Sequence, residues 1–242
     1  EDPFALVRRM LEPDAACRSA LPFSGGALGY FSYDLARRIE RVPSRAQDGE
    51  RIPDMAVGIY DWAVVVDHVE RRSWLAGQGR DPATDMKWNE LVRRFSEPAR
   101  ERSRAAFHVI SSTVSNMTRE TYGRAFDRIM RYIADGDCYQ VNLAQRFSAG
   151  VSGDPWLAYQ RMRTINPAPF SAYISTPYAH VLSASPERFL KVEGARVETK
   201  PIKGTRPRAG HARLDPQLAE ALRTSEKDRA AHVLTVALPR HD

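Results

Sequence analysis

Cysteine is scarce in this chain: only Cys17 and Cys138 occur among 242 residues, far apart and in no metal-ligand spacing. That usage excludes a disulfide framework and a cysteine-based metal cluster, and it fits a reducing compartment. Long apolar runs are lacking too. None approaches the roughly 18 residues a membrane span requires, so no membrane association is expected. The first residues, Glu1-Asp2-Pro3-Phe4, carry neither the basic nor the apolar region of a signal peptide. The expectation is a soluble, cytoplasmic protein. Helix-turn-helix, zinc-finger and RNP-like patterns are missing, which gives no support for nucleic acid as a partner. No Ser-His-Asp set or His/Cys metal cluster is legible either.

What is present is an ordinary globular composition, 43% hydrophobic and 27% charged, with a net charge of +6. Much of the positive excess is arginine in short runs, such as Arg71-Arg72 and Arg93-Arg94. Such runs read first as solvated surface and loops, with attraction for an anionic partner as the sharper alternative.

Periodicity predicts α+β architecture: largely antiparallel sheets covered by helices. Helices are expected at 3–11, 82–95 and 119–134, then from Asp154-Pro155 to about Arg163, at 216–223 and at 226–238, with a shorter one at 35–40. Phe23 to Asp34 is glycine-rich and aromatic, and reads as a strand where backbones approach closely. Residues 56–67 read as one long strand whose hairpin partner is 72–76. Strand character resumes at 107–112. It returns at 138–147, where Tyr139, Val141 and Leu143 alternate with Gln140 and Asn142. A further hairpin is expected from 166–174 and 178–183. The Arg-, Ser- and Pro-rich stretch 96–106 is the candidate linker, dividing a lobe at 1–105 from a second at 106–242.

The most informative stretch is 185–208. Ser185-Pro186 ends one strand, because proline fixes its own φ and pushes its neighbour out of the helical region. Residues 189–192 and 196–199 then form a hairpin about Glu193-Gly194. Its pairing places Glu187 and Lys203 at the outer ends of one hairpin, a carboxyl and an amine facing a common mouth. One can attack while the other moves a proton. On the residues alone, Lys203 reads first as a turn lysine in water, and Glu187 as a common surface glutamate. The functional reading needs a neutral amine, which burial or a neighbouring cation such as Lys200 or Arg206 would supply. Gly204 allows close approach to the backbone, and Thr205 offers a hydroxyl and an N–H.

Four motifs stand in order: Asp137 to Phe147, Ala168 to Tyr173, Ser185 to Phe189, and Pro201-Ile202-Lys203-Gly204-Thr205-Arg206-Pro207-Arg208. Together they resemble the chorismate-utilising enzymes, a family of anthranilate, aminodeoxychorismate, isochorismate and salicylate synthases. Gly25 to Asp34 fits the glycine-rich segment of that family's N-terminal half. Lysine at position 203 resembles the aminodeoxychorismate branch (component I), where the anthranilate and isochorismate enzymes typically carry alanine. The resemblance implies amination of chorismate to 4-amino-4-deoxychorismate, in the pathway to para-aminobenzoate and folate. It implies Lys203 as nucleophile, Glu187 as general acid, and the Gly204 and Thr205 backbone as a carboxylate cradle, with Arg206 and Arg208 steering the dianion. It further implies ammonia from a glutamine amidotransferase partner, a Mg²⁺ ion, and an effector or tryptophan pocket near Pro169, Phe170 and Ser171, for which core packing is the equal reading.

The sequence departs from the family at Ala231, where a metal-binding glutamate stands in relatives, and at Ala237 and Pro239 just downstream. The resemblance therefore implies an incomplete, fragmentary or degenerate copy, inactive by itself. Two rival readings remain: an anthranilate- or salicylate-type synthase, and a non-catalytic binding module that keeps the fold.

Overall fold

The computed structural model describes residues 2–11, 20–44, 48–99, 103–210, 214–226, 228–230 and 233. It divides into two compact units. One comprises Glu1–Ser103 with Ile174–His180, the other Arg104–Tyr173 with Val181–Asp242. The architecture is mixed, with helices and antiparallel strand pairs, and every described sheet is two-stranded.

The first unit starts with helix α1 (Pro3–Leu11), whose proline occupies the first turn where no N–H partner is needed. Its last carbonyls, on Met10 and Leu11, accept from the guanidinium of Arg80, which serves the unpaired end of the helix. Strands β1 (Gly26–Phe31) and β2 (Met55–Tyr60) pair antiparallel, Gly26 opposite Tyr60 and Phe31 opposite Met55. Between them, Ser32 caps a 3-10 helix at Tyr33–Arg38 by accepting from the Leu35 N–H at 3.2 Å. Strands β3 (Trp62–Asp67) and β4 (Arg72–Gly77) form the next hairpin. Asp67 Oδ1 accepts from the N–H groups of Val69 and Glu70 and so shapes the turn. Helix α2 (Pro82–Ser96) follows, capped by Asp81.

The expected single strand at 56–67 is thus two strands in two different pairs. Asp61 breaks it. The Asp61 carbonyl accepts from Gln78 N–H at 2.8 Å and its carboxylate accepts from Arg80 N–H at 2.9 Å. A residue that turns both acceptors on the β4–α2 connection leaves the ladder, and β2 is free to pair with β1 instead.

In the second unit, short strands β5 (His108–Val109) and β6 (Val114–Ser115) pair with β8 (Val151–Ser152) and β7 (Phe147–Ser148), respectively. Helix α3 (Arg119–Asp135) lies between. Thr118 and Thr121 cap it reciprocally, and Gly136 ends it at φ 82°, a left-handed conformation suited to glycine. Helix α4 (Pro155–Ile165) is capped by Asp154. Strands β9 (Phe170–Ser175) and β10 (His180–Ser185) are hydrogen-bonded neighbours joined by the 176–179 turn. Then come β11 (Lys191–Glu193), β12 (Arg196–Glu198) and helix α5 (Asp215–Thr224).

Two expectations change here. The strand at 138–147 reduces to Phe147–Ser148, and residues 138–146 carry no strand assignment. Alternation supplies a two-faced strip, but a strand exists only where a ladder partner takes its N–H and C=O groups. The partner found is short: Asn116 N–H donates to the Arg146 carbonyl at 3.0 Å, and Asn116 Oδ1 accepts from Arg146 N–H at 2.9 Å. Likewise 107–112 has ladder pairing at His108 and Val109, extended by the Ile110 N–H and by Ser111 Oγ, which accepts from Gly150 N–H. Of the helix expected at 226–238, residues 226, 228–230 and 233 are helical and the rest lies outside the described residues.

Burial is sparse. Leu35 and Tyr159 are the buried hydrophobic side chains among the described residues. Tyr159 sits in an aromatic cluster with Trp156 and Tyr173, ring centroids 5.2 to 5.5 Å apart. The apolar stripe of α3 stays half exposed, with Phe126 at 49% and Met130 at 47%.

Candidate active site

Glu187 is set by its own turn. The Ser185 hydroxyl accepts from Glu187 N–H at 3.3 Å and donates to the Glu187 carbonyl at 2.9 Å, with Pro186 between them. The backbone at the end of β10 is therefore closed on itself, which aims the Glu187 side chain across the following hairpin. That hairpin forms with Lys191 opposite Glu198, Val192 opposite Val197 and Glu193 opposite Arg196. Its turn is Gly194-Ala195, one residue later than the sequence suggests, with Gly194 at φ 59°. A positive φ at the first central position is what a two-residue hairpin requires, and glycine meets it without strain.

The hairpin returns the chain to Glu187. Glu187 Oε2 accepts from the Ile202 N–H at 3.2 Å. The carboxyl group and the backbone next to Lys203 are thereby brought together.

Beside this contact lies a second acidic centre that sequence reasoning missed. Arg188 pairs with Glu198, and Lys200 approaches the same carboxylate at 3.3 Å. Lys200 foremost, with Arg188 adding to it, holds the Glu198 carboxyl below the ordinary carboxylate range against the opposing effect of lost hydration. Arg188 also stands over the Phe170 ring, 5.6 Å from its centroid. Phe170 thus has a packing partner one residue from Glu187. Neighbouring Ser171 donates to the Ala168 carbonyl at 2.9 Å, and Pro169 leads directly into β9.

Past Lys203 the loop is pinned by arginines. Gly204 has φ 70°, and a Cβ there would lie 2.9 Å from the Asp228 carboxyl and from Leu222 Cδ1. The close approach that glycine permits is made by this chain's own side chains. Arg206 Nη1 donates to the Thr205 carbonyl at 2.8 Å and Nη2 to Asp228 at 2.9 Å. Arg208 pairs with Asp215 at 2.6 Å, and Asp215 also accepts from Ala209 N–H at 2.7 Å. Arg208 first, then the Ala209 N–H, holds the Asp215 carboxyl below its ordinary value, and Asp215 raises Arg208 in turn. Both arginines expected to steer a dianion are therefore already paired with carboxylates. A cleft of about 530 Å³ runs between this loop and α5, lined by Arg206, Pro207, Arg208, Asp215, Leu218 and Leu222.

Asp215 and Asp228 were not singled out by sequence. A signal existed for the second: Ser225 followed three residues later by Asp228 is a capping pattern, and Ser225 Oγ does accept from Asp228 N–H at 3.3 Å. The described residues hold no group of three or more His, Cys, Asp or Glu side chains able to bind a metal. Ala231 lies outside the described residues. No described helix is long and apolar enough to cross a membrane.

Comparison with known proteins gives one picture. Aminodeoxychorismate synthase component 1 of Klebsiella aerogenes is 44% identical over 247 residues, covering all of this chain and 52% of that relative. The Escherichia coli protein of the same name is 41% identical with the same coverage, and anthranilate synthase component 1 of Thermus thermophilus is 36% identical, with 53% of it covered. The crystal structure of anthranilate synthase component I from Streptococcus pneumoniae superposes with a TM-score of 0.82 at 26% identity, over all of this chain and 54% of that one. The chain thus spans about half the length of the relatives it matches. The family description matched, over residues 2–242, is chorismate binding enzyme, and the chain belongs to that family.

Proposed function

We propose that this chain carries the nucleophile and the acid of an aminodeoxychorismate synthase component 1, converting chorismate to 4-amino-4-deoxychorismate. The observation that carries the proposal is the contact of Glu187 with the backbone one residue from Lys203. It supports the reading by setting the Glu187 carboxyl against the segment that carries Lys203, and lysine at 203 is the residue that suits amination. Identity of 44% to a relative bearing that name supports the same reading.

The Lys203 amine attacks C2 of chorismate. The double bonds shift, and the C4 hydroxyl leaves as water with a proton from Glu187. Ammonia then adds at C4, the double bonds shift back, and the amine of Lys203 is expelled with a proton. A glutamine amidotransferase is the proposed source of the ammonia. Backbone groups at Gly204 and Thr205 receive a substrate carboxylate. Mg²⁺ belongs to the expectation from resemblance, but the described residues do not form a site for it, so no step is assigned to it. Pro169, Phe170 and Ser171 are proposed to flank an effector pocket, with the Arg188–Phe170 contact linking that region to Glu187.

The likeness to anthranilate synthases in sequence and structure favours one second reading, anthranilate formation. The chain spans about half of its relatives, so incubating chorismate and ammonium with a full-length relative in which this chain replaces the matching half, followed by chromatography, separates the two. 4-Amino-4-deoxychorismate, lost in Lys203→Ala, supports amination. Anthranilate, retained in Lys203→Ala, overturns it.

A further inference from the structure

We propose that Asp228 is a positioning residue for the 203–205 loop, fixing the Gly204–Thr205 backbone through Arg206. The inference rests on the reading of that loop as the substrate cradle, and it adds a residue that the cradle depends on.

Four observations converge on one carboxylate. Asp228 is anchored from behind, because its N–H donates to Ser225 Oγ and the next N–H, on Arg229, donates to the Ser225 carbonyl at 3.0 Å. Its Oδ2 accepts from Arg206 Nη2 at 2.9 Å. The same guanidinium reaches back through Nη1 to the Thr205 carbonyl at 2.8 Å. One planar, rigid group therefore ties a carboxylate on one element to a carbonyl on another, the geometry for which arginine is suited and lysine is not. The Asp228 carboxyl also lies 2.9 Å from the point where a Cβ of residue 204 would be. The loop is thus held by a charge-assisted bridge at Thr205, while the Asp228 carboxyl fills the space beside Gly204.

Exposure separates this bridge from the neighbouring one. The Arg206 and Asp228 side chains are 36% and 20% exposed, whereas Arg208 in the Arg208–Asp215 pair is 88% exposed. Solvent screens the second pair far more. The Asp215 pair also fixes Ala209, outside the cradle, so its removal is an internal control.

If Asp228 fixes the Thr205 backbone through Arg206, removing either partner releases the same carbonyl, and removing both does no more there. Amide hydrogen exchange on the full chain measures this. The expected result is a rise of about tenfold in exchange at Gly204 to Arg206 in Asp228→Asn and in Arg206→Gln, no larger in the double variant. Asp228→Glu, which keeps the charge, restores most of the protection, and Asp215→Asn leaves these amides unchanged. Protection in α3 reports that each variant stays folded. Should Asp228→Asn unfold, Arg206→Gln and Asp228→Glu still decide. Unchanged exchange in the single variants, or additive effects in the double, overturns the proposal. Calorimetry with chorismate separates the underlying reading. Weakened binding in Asp228→Asn extends the latch to the cradle. No binding to the unaltered chain removes the cradle reading, while the exchange cycle still decides the latch.

Discussion

Gly29 in the β1–β2 pair and Gly204 beside Lys203 both occupy places where a side chain cannot fit, for different reasons. At Gly29 the wall is backbone: a Cβ would lie 2.0 Å from the Ala56 carbonyl oxygen. At Gly204 the wall is the far end of two side chains, Asp228 and Leu222, and the constraint comes also from φ 70°. The first glycine lets two strands pair; the second lets a loop be seated by charged neighbours. Backbone cannot yield without losing a ladder, whereas a carboxylate can swing away. One region is built rigidly by local pairing, and the other is held by removable contacts.

Substitution by alanine breaks the comparison most directly. Gly29→Ala is expected to cost about 3 kcal/mol, at the upper end for overpacking, because neither strand can move without breaking hydrogen bonds. A chemical-denaturation midpoint measures it. Gly204→Ala is expected to cost less, about 1–2 kcal/mol for the left-handed backbone, with the effect confined to the loop. Equal losses at the two sites would refute the distinction. Thr118→Ala, removing a cap that both Thr118 and Thr121 complete, should cost about 1 kcal/mol and show as fraying of α3 by exchange.

The smallest effect concerns pH. Asp215 has a folded value depressed below its ordinary 3.8, chiefly by Arg208. A depressed acid contributes stability that is present above its unfolded value and lost as pH falls through the folded one. Protection of the Ala209 N–H should therefore decline on acidification below about pH 4. Asp215→Asn should flatten that decline. Arg208 is 88% exposed and solvent screens the pair, so global stability should barely respond.

The same contrast governs what the sequence made legible. Helices α2, α3 and α4 announce themselves through Asp81, Thr118 with Gly136, and Asp154, because a cap acts within three residues. The β3–β4 hairpin and the 191–198 hairpin are equally local. Strand partners are not. The break at Asp61 depends on N–H groups at 78 and 80, and the alternation of 138–146 says nothing about whether a neighbour exists. In the candidate site, the return of the chain to Glu187 at Ile202 was legible because one hairpin joins them. Asp228 lies 22 residues from Arg206, and neither periodicity nor propensity reports such a pair. The Ser225–Asp228 spacing was the one available clue.

The central claim is that Glu187 supplies the proton while Lys203 attacks. Its most direct test is mass spectrometry of the Lys203 peptide after timed incubation with chorismate, for the unaltered chain and for Glu187→Gln. The expected result is an adduct on Lys203 weighing chorismate less one water, formed at least about 10²-fold more slowly in Glu187→Gln. Equal rates in the two proteins, or an adduct on another lysine, would contradict it.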